Sequence, residues 1–449
     1  MADVVLYFPK MTLQKGGDYD EHRIPYSLLH LIPGLRKANF SVEWFDGRID
    51  PPVYFINAVK QNPKFVGISS LTGVQLLDAM WAAKKVREIN PEIPIIWGGW
   101  HASLLPEETI KEPFVDVVCV GLGEDTIVDI VQSSKQSLEL LSGVKTKTNS
   151  LRLRPMKISP PAIPWDAIDI NKYGSYIGYT TSYGCPWNCA FCANPRIFNH
   201  RWKARETPEV ISDLKYLIDN YHKPVTKLLM EDDNFFVDKD RVVEFCKTWK
   251  GYKQVPLMAL AHVQLLSTYD DQMWQLLKET NFKEILIGAE SANPLILERL
   301  HKRQTVEQIT DFVRKCFRYG IRPILSFIVG WPDDDELEDH QKTLMFIRDL
   351  GQIHPGLIFK LLWIRPYPGS ELYNVFISNG WPMPKNMKQW GEYTLRNQPA
   401  WVSRELEEKI NYFVYSFQPE RQFNYTWDTF LYAFDKARAE NRIPRPRGV

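Results

Sequence analysis

Short, continuously apolar runs separated by helix-length amphipathic segments recur along most of this 449-residue chain. They leave few folds open, because a strand apolar on both faces must be covered on both faces. Five such runs lie at 4–8, 42–46, 65–70, 95–99 and 115–120, with helices expected at 26–37 and 74–89 between them. Residues 1–135 are therefore expected to form a doubly wound, Rossmann-like parallel sheet. Residues 136–172 read as a linker, since Lys145-Thr146-Lys147-Thr148-Asn149 and Pro160-Pro161-Ala162-Ile163-Pro164 break the periodicity. The alternation resumes over 173–370, with strands expected at 176–181, 227–231, 257–261, 284–288, 324–329 and 357–364. Six consecutive β/α units predict an α/β barrel or partial barrel whose chemistry lies at the carboxyl ends of its strands. Residues 371–449 read as helical and aromatic-rich, with helices at 371–379, 403–417 and 425–438. Their spacing makes most of those rings core, and a few could form a lid over an apolar or aromatic small-molecule substrate.

Charge narrows the functions. Lys plus Arg is 55 and Asp plus Glu is 54, a net charge of +1, so no electrostatic footprint for nucleic acid is present. No apolar run approaches the roughly 18 residues of a membrane span, and the start of the chain lacks the pattern of a secretory signal. A cytoplasmic protein with reduced thiols is expected.

Cysteine spacing is the most specific signal. Cys119, Cys246 and Cys316 are solitary and fit as small core hydrophobes, whereas Cys185, Cys189 and Cys192 fall within eight residues, in Gly184-Cys185-Pro186-Trp187-Asn188-Cys189-Ala190-Phe191-Cys192. Three thiolates on one loop make sense chiefly as metal ligands. A structural zinc would want a fourth ligand at short spacing, and none is found. A [4Fe–4S] cube takes one ligand per iron, so three cysteines leave one iron open. Cys-x3-Cys-x2-Cys with an aromatic before the last Cys resembles the signature of the radical S-adenosylmethionine (SAM) enzymes. In that family the open iron chelates SAM, and the cluster cleaves it to a 5'-deoxyadenosyl radical. The resemblance extends along the second unit. Glu231-Asp232 follows its second strand, Gly288-Ala289-Glu290-Ser291 its fourth, with Leu300-His301-Lys302-Arg303 beyond. Gly330-Trp331-Pro332 follows the fifth and Pro366-Tyr367-Pro368-Gly369-Ser370 the sixth, with Ser where the family has Thr. The resemblance implies that Phe191 packs on the adenine and that Glu231, Asp232 and Glu290 bind SAM. His262 ends the third strand and could face substrate or cap a loop, both readings standing.

In the first unit no Gly-x-Gly-x-x-Gly follows the first strand and no Walker lysine is present. Its strand ends carry Ser69-Ser70-Leu71-Thr72, Gly98-Gly99-Trp100-His101-Ala102-Ser103 and Gly121-Leu122-Gly123-Glu124. This pattern resembles the cobalamin-binding domain that precedes many radical SAM domains, as in cobalamin-dependent methyltransferases and the anaerobic magnesium-protoporphyrin cyclase. It implies that Ser69, Ser70, Thr72, Gly98, Gly99, Gly121, Gly123 and Glu124 contact cobalamin. A bulky side chain at Gly99 is expected to block the corrin while leaving the sheet folded. The methionine-synthase ligand motif Asp-x-His-x-x-Gly is met here by Asp20-Glu21-His22-Arg23-Ile24-Pro25, with Pro for Gly. His22 is then either the lower cobalt ligand or an exposed loop histidine. The function implied is a cobalamin-dependent radical SAM C-methyltransferase that draws electrons from an external flavodoxin- or ferredoxin-type donor. An oxidative cyclase or ring-rearranging enzyme on the same scaffold is the alternative, and a cluster-bearing electron-transfer or cobalamin-sensing protein is the alternative of another class. No acid–base residue is singled out.

Anaerobic reconstitution should give about four irons per chain. Cys189→Ala should abolish that uptake and Cys246→Ala should leave it intact, as iron and sulfide analysis would show. A Cys189 variant with full iron and intact SAM cleavage would refute the cluster reading.

Overall fold

The computed structural model describes residues 2–11, 23–134, 136–155, 158, 160–252, 255–331, 336–393, 399, 401–416, 427–440 and 442–443. His22, Pro332 and Phe417 lie outside the described residues. The first sheet comprises β1 (Val4–Phe8), β2 (Val42–Asp46), β3 (Phe65–Ser69), β4 (Ile95–Gly98), β5 (Val117–Cys119) and β6 (Val144–Lys145), in the order β2-β1-β3-β4-β5-β6. All neighbours are parallel except β5 and β6. Val5 and Tyr7 of β1 enter one core, with Val66, Ile68 and Trp97, while Val4 and Leu6 enter another with Ile96 and Cys119. That two-sided burial is why the run is continuously apolar. The antiparallel β6 lies in the segment expected as linker, at the edge of the sheet.

The helix expected over 26–37 is two, Tyr26–Leu29 and Ile32–Lys37. Pro33, in the first turn of the second, has no N–H to give the Leu29 carbonyl and its ring crowds that carbonyl.

β7 (Tyr176–Tyr179) opens the second unit and leads into an antiparallel hairpin of β8 (Ser182–Gly184) and β9 (Trp202–Ala204), which sequence periodicity did not anticipate. The parallel strands continue as β10 (Lys227–Met230), β11 (Leu257–Ala261), β12 (Phe282–Glu290), β13 (Arg322–Val329) and β14 (Ile358–Trp363). Their order is β14-β13-β12-β11-β10-β7, a curled, open half-barrel. Ile285, Ile287, Leu325 and Phe327 face the helices, while Leu229, Met258 and Ile324 form a separate apolar cluster inside the barrel. Below it, Lys227 and Arg322 flank Glu284, at 2.5 and 3.5 Å.

Hydrogen bonds tie the units together. Tyr26 donates to the Gly178 carbonyl at 3.0 Å, Tyr173 to Asp46 at 3.1 Å and Trp44 to the Ala167 carbonyl at 2.8 Å. The helix Met387–Glu392 returns to the first unit, where Met387 and Trp390 join its core. No described helix is long and apolar enough to cross a membrane. Trp390 is 2% exposed, and Trp390→Ala should destabilise the first unit by about 3–5 kcal/mol, the usual cost of emptying a site that size. Calorimetry should show an earlier unfolding transition, and an unchanged one would mean this docking is not stabilising.

Candidate active site

The cysteine loop leaves β8 at Gly184, whose φ of +79° sets the turn into Cys185. Ala190 fixes the loop's second half, donating to the Leu300 carbonyl at 3.0 Å and accepting from the Leu372 amide at 2.9 Å. The Asn194 amide points at Cys192 Sγ, 3.4 Å away. Trp187 lies flat on His262, ring centroids 4.1 Å apart and planes 13° from parallel. Phe191 packs on the apolar cluster of Trp331, Ile364 and Phe376 beneath the loop.

All six cysteines are free. Cys185, Cys189 and Cys192 are partly exposed, whereas Cys119, Cys246 and Cys316 are buried. Burial pushes the Cys185 thiol up to about 11 and Cys192 to about 12, so metal uptake must displace protons from the loop. Among the described residues no three His, Cys, Asp or Glu side chains converge as they would around a single ion. A four-iron cluster needs no such convergence, since each thiolate takes its own iron. One amide aimed at a thiol sulfur and a buried lysine nearby fit an anionic iron–sulfur group.

Two carboxylates turn down into the barrel beside this loop. Glu231, at the end of β10, folds over Gly178 of β7, and Glu290 folds over Gly288 of its own strand; a Cβ at either glycine would collide with the carboxylate. Glu290 sits at a φ of +64°, where the register of β12 against β13 shifts. Lys302 Nζ is 3.2 Å from Glu290 Oε1, both side chains nearly excluded from solvent. Burial alone would lower Lys302, but Glu290 and the neighbouring Cys189 thiol hold it above the ordinary lysine value, so it stays charged. Glu231 is raised by burial, opposed by Arg23, whose Nε is 3.0 Å away. Asp232 faces elsewhere. It accepts from the Thr181 amide and hydroxyl, each at 3.0 Å, and from Ser182 at 2.6 Å, locking the join between β7 and β8. Sequence reasoning did not single out Lys302, Arg23 or Trp187. Nor did it foresee that Asp233, beside Asp232 in the same turn, would bring its charge to bear on Cys185 and Cys192. Acidic and basic residues in turns give no signal of what faces them.

The carboxyl end of the first sheet opens into a cleft of about 260 Å³. Ser69, Gly98, Gly99, Gly121, Gly123 and Glu124 line it, with Leu6, Leu31 and Cys119. Burial raises the Glu124 carboxyl. Ser70 and Thr72 do not line it. Ser70 donates to the Gly98 carbonyl at 2.8 Å, and Thr72 is 2.9 Å from His101 Nδ1. A Cβ at Gly121 would meet open space, as a bare cradle for a large ligand requires. Thr180, Tyr183 and Phe198, which flank the cysteine loop, form the opposite wall.

The chain matches the radical SAM superfamily over residues 179–344 and the B12 binding domain over 19–131. It is 30% identical over 388 residues to an uncharacterized methyltransferase of Pyrococcus horikoshii, covering 82% of this chain and 81% of that one. The chain belongs to the cobalamin-dependent radical SAM enzymes. Like others of the family it uses a [4Fe–4S] cluster, SAM and cobalamin. The anaerobic magnesium-protoporphyrin IX monomethyl ester cyclase of Rubrivivax gelatinosus is 21% identical over 331 residues, covering 69% of this chain and 58% of that one. In fold, the radical SAM methyltransferase TsrM of Kitasatospora setae superposes with a TM-score of 0.69 at 14% identity, covering 100% of this chain and 92% of that one.

The cleft geometry corrects one expectation. Gly99 has a φ of +91°, and a Cβ there would lie 2.6 Å from the Ser70 carbonyl, so a side chain would break the turn itself. Gly98 is the clean probe, since a Cβ there would come no closer than 3.8 Å to Cys119. Gly98→Leu should fold with near wild-type thermal stability yet lose cobalamin, read from the corrin absorbance of purified protein. Full cobalamin content in that variant would show that the ligand lies elsewhere.

Proposed function

We propose that this enzyme is a C-methyltransferase acting on an unactivated carbon of a small-molecule substrate. The observation that carries the reading is the shared wall. The glycine-lined cleft of the first unit is closed by Thr180, Tyr183 and Phe198, which flank the cysteine loop of the second. A methyl carrier and a radical source held on either side of that wall would meet one substrate carbon, and positioning is the protein's main task in such chemistry. When bound, the cluster with SAM supplies the hydrogen-abstracting radical, and cobalamin carries the methyl group. In this reading Cys185, Cys189 and Cys192 hold the cluster, Phe191 backs the adenine, and Glu231 and Glu290 bind SAM. Ser69, Gly98, Gly99, Gly121, Gly123 and Glu124 cradle cobalamin. Asp232 with Ser70 and Thr72 support those residues from behind.

The Pyrococcus relative and TsrM carry methyltransferase names, which supports the reading. The second reading, an oxidative cyclase, has the Rubrivivax relative in its favour. An electron carrier is disfavoured by the buried Glu290–Lys302 pair beside the loop, which a carrier would not need. We further propose a cytoplasmic enzyme, divided as 1–135, 136–172, 173–370 and 371–449, with an apolar or aromatic substrate and an external flavodoxin- or ferredoxin-type reductant.

Product analysis separates the readings. A methyltransferase should yield a methylated product with 5'-deoxyadenosine and S-adenosylhomocysteine in equal amounts, once uncoupled cleavage is subtracted. Incubation with methyl-deuterated SAM should carry the label into product. Turnover of the true substrate without a labelled methyl would exclude methyl transfer and leave the cyclase.

A further inference from the structure

Two halves of the cysteine loop are held in different ways. Ala190 anchors the second half through main-chain hydrogen bonds to Leu300 and Leu372. In the first half, between Cys185 and Cys189, the fixed point is the indole of Trp187, stacked on His262 at 4.1 Å and 13°. His262 is a rigid platform. It directly follows β11, is 5% exposed, and its Nδ1 accepts from the Gln264 amide at 3.3 Å, capping the helix Val263–Ser267. Burial, with the Lys302 charge nearby, pulls the imidazole down to about 3, so the ring is neutral at any working pH. The stack is therefore a contact of two flat neutral rings, not a cation–π pair.

We propose that His262 is a positioning residue for the cysteine loop, acting through its flat stack on Trp187. This rests on the reading of Cys185, Cys189 and Cys192 as cluster ligands. The barrel strand β11 thereby sets where the first two thiols stand, because the backbone at its end and the tight burial around the ring fix where the ring lies. A flat apolar ring in place of the imidazole preserves the stack; loss of the ring frees the Cys185–Cys189 segment.

Reconstituted wild type, His262→Ala, His262→Phe and Trp187→Ala should be compared in iron loss to a chelator and in the paramagnetic resonance spectrum of the reduced cluster. Circular dichroism and thermal melting serve as checks on folding. His262→Ala and Trp187→Ala should lose iron about two- to tenfold faster, the range an aromatic pair supports, with an altered spectrum. His262→Phe should match wild type in both. If His262→Ala does not fold, Trp187→Ala and His262→Phe carry the test alone. Wild-type iron retention and spectrum in folded Trp187→Ala would overturn the proposal, as would a folded His262→Phe that loses iron as fast as Trp187→Ala. A wild-type protein that takes up no iron would overturn the cluster reading itself, and this inference with it.

Discussion

A strand that is apolar on both faces has to be covered on both faces, and this requirement organises the molecule. It places helices on either side of the first sheet, as the division of Val4 and Leu6 from Val5 and Tyr7 shows within five residues, and on the outer face of the second, whose inner face keeps its own apolar cluster. With the faces occupied, groups that must meet a ligand are confined to the strand ends. Both sheets are parallel apart from the edge strand β6, so each has one carboxyl edge where its strand-to-helix loops gather. The chain turns those two edges toward each other, and the glycine-lined cleft and the cysteine loop come to share a wall.

Inside that shared region charge is handled by pairing. A carboxylate in the barrel interior cannot stand alone without a large desolvation cost. Glu290 has Lys302 and Glu231 has Arg23, while Asp232 is satisfied by Thr181 and Ser182. The backbone bends to permit this. A non-glycine residue at positive φ costs roughly 1–3 kcal/mol and persists only where its surroundings determine it. Glu290 is such a residue, and Gln304 secures the bend by donating to the Gly288 and Ala289 carbonyls, each at 2.9 Å. The glycines at 178 and 288 have a matching purpose, because both carboxylates occupy the space their side chains would fill.

Three buried histidines, His30, His101 and His262, are structural, set neutral by burial rather than poised to titrate. His30 is held near 3 and His101 near 4 for that reason. His30 meets Tyr183 through Nδ1, and His101 lies under Trp390, so each sits where separate parts of the chain join. With His262 under Trp187, the aromatic richness of the chain is explained in part by seams between elements. General acid–base work by these rings would require a charge that their surroundings oppose.

The sequence by itself determined the eleven parallel strands, because short apolar runs bounded by turns and spaced by helices suit a parallel sheet. It determined the two α/β units, and it singled out the cysteine loop, because three thiols in eight residues are chemically conspicuous in any fold. It also placed Glu231 and Glu290 at strand ends, and of the eight residues its motifs assigned to cobalamin, six, Ser69 and Gly121 among them, line the cleft. Only the tertiary structure decided the rest. Pro33 divides a helix whose periodicity reads as continuous, and the hairpin β8–β9 pairs two three-residue segments too short to show a period. Ser70, Thr72 and Asp232 turn away from the ligand spaces their motifs suggested, since a side chain's direction depends on which partner folding brings within reach. Lys302 reaches Glu290 across twelve residues, Arg23 reaches Glu231 across more than two hundred, and Trp187 finds His262 just past the end of β11. Such pairings carry no local signature, because the interaction energy belongs to a distance that exists only after the chain has folded.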